Sequence, residues 1–178
     1  MSRLKAIDVS EAQGEIKELY EAIEQEMGKV PNIFKGMAVG PVLLKAYLQL
    51  DELIAAGTLS GAEQDIVRLV VSQFNGCNYC LAAHTKTAAA QGLSGEEILA
   101  ARRGRPQDEK QAALVAFVRR ILDTKGFVEA ADIEAFRDAG YTDAQVCEVI
   151  TIIGQKMMSN YFNHVNATEL DFPEAETL

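Results

Sequence analysis

An all-α fold is what the sequence predicts, and three observations predict it. Apolar residues recur at three- and four-residue spacing, capping motifs stand where those stretches begin, and glycine and proline fall between them. Ile16, Leu19, Tyr20, Ile23 and Met27 form a first stripe, and Leu43, Tyr47, Leu50 and Ile54 a second. Leu114, Phe117, Val118, Ile121 and Leu122 form a third, and Val146, Val149, Ile150, Ile153 and Met157 a fourth.

The punctuation agrees. Ser10 with Gln13, Ser60 with Glu63, Ser94 with Glu97 and Thr142 with Gln145 fit the capping-box pattern at helix starts. Gly57, Gly126 and Gly140 follow helical stretches, where a left-handed residue is expected. Pro31, Pro41 and Pro106 lie between segments. Val146 to Ile153 is rich in β-branched residues and has the composition of a buried strand, but its capped start and its length favour helix. Seven or eight helices and no strand are expected.

The chain has 178 residues, 48% of them apolar, enough for one sizeable core, so residues 1–178 are expected to form a single domain. Arg102 to Lys110 is the most polar stretch and reads as a loop; Asp171 to Leu178 reads as a frayed acidic tail. A weak internal repeat at an offset of 82 aligns Ser60, Val67, Gln73 and Asn78 with Thr142, Val149, Gln155 and Asn160. Under that alignment only the first copy carries the reactive residues described next.

A net charge of −9 argues against a surface for nucleic acid or anionic membrane. Met1 to Gly14 lacks an apolar h-region, and the longest apolar run is Ala112 to Val118. A soluble, cytoplasmic protein is therefore expected. The three cysteines, Cys77, Cys80 and Cys147, are too few for a secreted disulfide scaffold.

The chemistry concentrates in Cys77-Asn78-Tyr79-Cys80-Leu81-Ala82-Ala83-His84. Asn75-Gly76 breaks the helical pattern, which places Cys77 in the first turn of the next helix, where the dipole lowers a thiol pKa. Cys80 and His84 follow at three and four residues, on the same face. A nucleophilic thiolate, a second thiol able to resolve its oxidised form and an imidazole able to carry a proton thus share one segment. Two buried core thiols beside a surface histidine are the plainer alternative. Structural zinc would need a fourth ligand. Asp65 either serves the dipole of its own helix and pairs with Arg68 or aims a carboxylate at the dithiol. Cys147 reads as a core thiol, and His164 as a capping or oligomer-contact residue.

The run from Asp65 through Asn75-Gly76-Cys77-Asn78-Tyr79-Cys80, followed by His84, resembles the core of the AhpD-like alkylhydroperoxidases of the carboxymuconolactone decarboxylase superfamily. Pro31-Asn32-Ile33-Phe34 and the capped helix at Ser60 resemble the peroxidase-related branch, and the similarity spans about residues 30 to 125. The resemblance implies an all-α, oligomeric fold, trimeric or hexameric, and an antioxidant thiol peroxidase. It implies that Cys80 attacks the hydroperoxide, Cys77 resolves the sulfenate and His84 belongs to a proton relay, with Asp65 and Tyr79 in support. No bound metal or flavin is implied; electrons would come from a lipoyl or thioredoxin-like dithiol. The dipole argument favours Cys77 as the more acidic thiol, so the two lines differ on which attacks first. Two positions depart from the family pattern: Asp65 stands where a glutamate is usual, and Tyr79 where a histidine is. Lactone-acid decarboxylation, which needs no dithiol, and a non-catalytic redox sensor or scaffold are the alternative functions.

Overall fold

The computed structural model describes residues 2–178. It is all-helical, with no strand among the described residues. A short 3-10 helix (Val9–Glu11) precedes α1 (Gly14–Met27), α2 (Asn32–Met37), α3 (Pro41–Ala55), α4 (Gly61–Phe74) and α5 (Asn78–Ala90). Then follow α6 (Gly95–Arg103), α7 (Glu109–Thr124), α8 (Ala130–Asp138) and α9 (Asp143–Asn166). Among the described residues, nine α-helices replace the seven or eight expected, because a helix as short as α2 completes too few turns to display a stripe.

Three of the four expected capping boxes form, at Ser60, Ser94 and Thr142. The fourth does not. Asp8 Oδ1 accepts from the Ser10 amide at 3.1 Å and caps the 3-10 helix instead, while Gln13 precedes α1 without a side-chain cap. Gly126 and Gly140 are left-handed, at φ 89° and 91°. Gly57 is not. It is needed because a Cβ there would lie 2.7 Å from the Glu148 carboxylate, which accepts from the Thr58 and Leu59 amides at 2.9 Å.

Two apolar clusters make up the core. The larger is built mainly by α4, α6, α7, α8 and α9, with Ile54 of α3 and Leu81 and Ala88 of α5, and the smaller by the N-terminal segment, α1, α2 and α3 together with Cys77, Tyr79 and Cys80. Helix α4 packs against α5, α6, α7 and α9, and α9 packs in turn against α3 and α5. The dithiol therefore lies at the seam between the clusters, where α3, α4, α5 and α9 converge. The apolar stripe of α9 is largely used within the chain, with Val149, Ile152 and Ile153 buried. No helix among the described residues is long and apolar enough to cross a membrane.

Several expectations change. Asp171 to Leu178 is no frayed tail: Asp171 hydrogen-bonds Tyr79 and Lys29, Phe172 stands edge-on to the Tyr79 ring at 5.6 Å, and Ala175 packs on the larger core. Those partners lie more than ninety positions away for Tyr79 and farther for Lys29, beyond the reach of local pattern. Arg102 lies in the last turn of α6 and is buried, its Nε donating to Gln73 Oε1 at 2.9 Å, so the polar loop begins only at Gly104. Cys147 is exposed and not a core thiol. Finally, the segments aligned at an offset of 82 differ in shape. The chain breaks between α4 and α5 at Asn75-Gly76, whereas α9 runs unbroken through Met157 and Met158.

In the larger cluster Phe136 is sandwiched between Phe117 and Tyr141, at ring separations of 4.4 and 4.3 Å. Phe136→Ala should lower unfolding stability by about 3–5 kcal/mol. Chemical denaturation read by circular dichroism checks this, and iodoacetamide labelling of Cys80 below the transition should stay at the wild-type rate.

Candidate active site

Local backbone places the thiols. Helix α4 ends at Phe74, Asn75 caps it, and Gly76 (φ 66°) turns the chain. Cys77 is the N-cap of α5, extended at φ −88°, with its amide donating to Ser72 O at 2.9 Å. Cys80 sits one turn inside the helix. Both are buried, at 1% and 2% exposure, and both sulfurs share one donor: Asn163 Nδ2 lies 3.3 Å from Cys80 Sγ and 3.8 Å from Cys77 Sγ.

The thiols differ in acidity. The Cys77 thiol donates to Cys80, and this bond, with the Lys156 charge and donors from Asn163 and Asn160, outweighs burial and lowers Cys80 to about 6. Cys77 moves the other way, its proton held by Cys80 and its charged form opposed by burial. The helix-dipole expectation for Cys77 is thereby reversed. At the N-cap the thiol still has a neighbour that takes its hydrogen bond, and that neighbour gains the stabilisation.

Behind Cys80 runs a chain of polar groups. Lys156, only 1% exposed, directs its Nζ to His84 Nε2 at 2.8 Å and to Tyr47 OH at 3.0 Å. Burial first, then the Lys156 charge, lowers His84 to about 4 against the opposing pull of Asp65. The ring is therefore neutral at pH 7. With Nε2 accepting from Lys156, the network assigns the ring proton to Nδ1, which faces Asp65 Oδ1 at 3.3 Å. Burial raises the Asp65 carboxyl, but His84, Arg68 and Thr87 together outweigh it and hold it below the ordinary carboxylate range. Thr87 Oγ1 donates to Asp65 Oδ1 at 2.9 Å; Arg68 bridges Asp65 and Asp51 at 3.4 and 3.1 Å.

Of the residues singled out from sequence, Cys77, Cys80, His84 and Asp65 are brought together. Tyr79 is not part of the chain. Its hydroxyl donates to Asp171 Oδ1 at 2.6 Å and accepts from the Ile33 amide at 3.2 Å, and burial, then Asp171, pushes its pKa up. It anchors the C-terminal segment instead. His164 lies exposed in the last turn of α9. A zinc site does not assemble: His84 Nε2 is engaged by Lys156, and no cluster of three or more His, Cys, Asp or Glu suited to a metal occurs among the described residues.

Lys156, Asn160, Asn163 and Tyr47 were not foreseen as site residues. For three of them the signal was present. Val149, Ile153, Lys156, Asn160 and Asn163 continue one four-three-four-three spacing, so the apolar stripe of α9 becomes polar on its buried face. Asn75 Nδ2 donates to Asn160 Oδ1 at 2.9 Å, tying the chain break before Cys77 to that stripe.

A cavity of about 250 Å³ opens onto Cys80, with Phe34, Tyr47, Tyr79 and Phe172 in its walls and Lys156 and His84 at its polar end. Cys77 does not line it.

Residues 41–123 match the carboxymuconolactone decarboxylase family. That match spans the polar break at Asn75-Gly76, the dithiol and His84. Solved structures share the fold of this chain. One is an alkylhydroperoxidase AhpD core, an uncharacterised peroxidase-related protein from Ralstonia eutropha JMP134, at TM-score 0.87 and 20% identity over 96% of this chain and 92% of that one. A second peroxidase-related protein, from Silicibacter sp. TM1040, aligns at TM-score 0.79 and 24% identity over 95% and 94% of the two chains. A cysteine-to-alanine variant of the debrominase Bmp8, in complex with 2,3,4-tribromopyrrole, aligns at TM-score 0.80 and 18% identity over 96% and 92%. No curated protein matches the chain by sequence.

After the hydrogen bond from Cys77, the Lys156 charge is the next group that lowers the Cys80 thiol, and both residues line the same cavity. Labelling of Cys80 by iodoacetamide should rise with pH around a midpoint near 6. In Lys156→Met the positive charge is gone, the folded thiol pKa rises and the midpoint moves up, slowing labelling at pH 6 by roughly tenfold. An unmoved midpoint would remove Lys156 from that role.

Proposed function

We propose that this AhpD-like protein is a dithiol reductase that reduces small apolar organic hydroperoxides. The observation that carries the reading is the position of the more acidic thiol, Cys80, on the apolar cavity beside Lys156, with Cys77 directly behind it. A thiolate needs access to the substrate, a proton donor for the leaving oxygen and a second thiol to resolve the product.

The reaction balances on these groups. The Cys80 thiolate attacks the terminal peroxide oxygen, the O–O bond breaks, and the alkoxide leaves with a proton from the Lys156 ammonium. Cys80 is now a sulfenic acid. Cys77 attacks its sulfur, the S–O bond breaks, and the departing hydroxide takes the Cys77 proton to leave as water. The Cys80 thiolate and the Lys156 charge vanish together, so the disulfide state leaves no unpaired charge in the site. His84 and Asp65 act through Lys156 by holding its amine in place. That assignment differs from a histidine that takes the thiol proton itself, because a ring lowered to about 4 is a weak base at pH 7. A dithiol returns the two electrons.

The aromatic cavity walls favour a second reading, reductive dehalogenation of a small aromatic molecule. The same dithiol would supply two electrons, halide would leave and hydrogen would take its place. The similarly folded Bmp8 is a debrominase whose cysteine variant is bound to 2,3,4-tribromopyrrole. Decarboxylation of a lactone acid would leave the acidic thiol without a task.

Purified protein supplied with dihydrolipoamide should consume cumene hydroperoxide over many turnovers, and Cys80→Ser should lower the rate by at least about a hundredfold. Equal rates in wild type and Cys80→Ser would sink the proposal. Bromide release from 2,3,4-tribromopyrrole with no hydroperoxide consumption would select the second reading.

A further inference from the structure

Cys77 and Cys80 face different openings. Cys80 lines the aromatic cavity, and Cys77 does not. A second depression, about 260 Å³, is lined by Cys77, Asn78, Tyr79, Asn163, His164 and Thr168, and Cys80 is absent from it. Tyr79 is the one residue common to both, held between them by its bonds to Asp171 and the Ile33 amide. The second depression has a larger polar share in its lining than the aromatic first one, from Asn78, Asn163, His164 and Thr168.

We infer that the oxidised protein is reduced through this second depression, by a small dithiol that attacks Cys77 while the cavity on Cys80 is left to the substrate. The inference rests on the dithiol reading above and adds which sulfur is attacked and from which side.

Three features carry it. Thiol–disulfide exchange proceeds fastest when the sulfur released is the better leaving group. Attack on Cys77 releases Cys80, the thiolate that Asn163 and Lys156 receive; attack on Cys80 would release Cys77, which has no cation beside it. Second, Cys77 is only 1% exposed, so a slender molecule can reach it and a thiol fixed on a flat protein surface cannot. Third, the side chains of Asn78, Asn163, His164 and Thr168 in the lining are hydrogen-bonding groups for the second thiol of an arriving dithiol.

The exchange balances. One reductant thiol, as thiolate, bonds to Cys77 Sγ; the Cys77–Cys80 bond breaks and Cys80 leaves as thiolate, with the reductant's proton restoring the Lys156 ammonium. The second reductant thiol then closes on the first, forming a cyclic disulfide, and Cys77 departs with the remaining proton.

The test makes the disulfide with diamide, so that it needs no hydroperoxide. Oxidised protein is mixed briefly with glutathione as a single-thiol probe and quenched with N-ethylmaleimide, and tandem mass spectrometry locates each label. Glutathione on Cys77 with maleimide on Cys80 is the expected result. The reverse placement would overturn the inference and leave the dithiol reading standing. Stopped-flow reduction should be fast with dihydrolipoamide and slow with reduced thioredoxin; the opposite order would overturn the reductant class. His164→Trp should slow reduction by dihydrolipoamide on the order of tenfold by narrowing the depression, while iodoacetamide still labels Cys80 in its reduced form. Unchanged reduction in that variant also counts against the route. Failure of diamide to form the disulfide at all would overturn the dithiol reading and this inference together.

Discussion

An ammonium group inside a protein must be given back what it loses on leaving water, and Lys156 sets the terms for the rest of the site. Removing such a cation from water costs several kcal/mol unless partners surround it. Here the partners are Tyr47, the unprotonated nitrogen of His84 and the negative charge of Cys80. Each is constrained in return. The imidazole is held neutral with its proton toward Asp65, and Asp65 is held ionised by His84, Arg68 and Thr87. Four helices contribute to this chain, so its integrity depends on the packing of α3, α4, α5 and α9 around one another.

The two departures from the family pattern become intelligible in that frame. Asp65 is a methylene shorter than a glutamate, yet it still reaches His84 at 3.3 Å, with Thr87 and Arg68 holding the carboxylate in place. Tyr79 has left proton chemistry altogether. Its hydroxyl is committed to Asp171, whose other oxygen accepts from Lys29 and from the Asn32 amide. One buried phenol therefore fastens the C-terminal segment to the start of α2 and sets Phe172 against the cavity. A histidine at that position would offer a titrating ring; the tyrosine offers a wall and an anchor.

Reading the site from sequence worked where the chemistry was local. Cys77, Cys80 and His84 fall within eight residues, and their helical spacing alone places them together. Asp65 was within reach because it precedes the break by about three helical turns on an adjacent, well-capped helix. Lys156 was missed although it interrupts an apolar stripe at the expected spacing. A lysine on a helix reads as a solvated end of that stripe until something shows that the face is covered. The same holds for Asn160 and Asn163.

By itself, then, the sequence determined what depends on neighbours a few residues apart: the helical class, three of the four capping boxes, the break at Asn75-Gly76 and the dithiol with its histidine. Periodicity and capping are short-range properties, and they survive in one dimension. Only the tertiary structure decided which thiol is acidic, because a thiol's pKa follows the charges and donors around it, and Lys156 and Asn163 come from α9, some eighty residues away. Only packing likewise turned the C-terminal segment into a wall of the cavity and gave each cysteine its own opening.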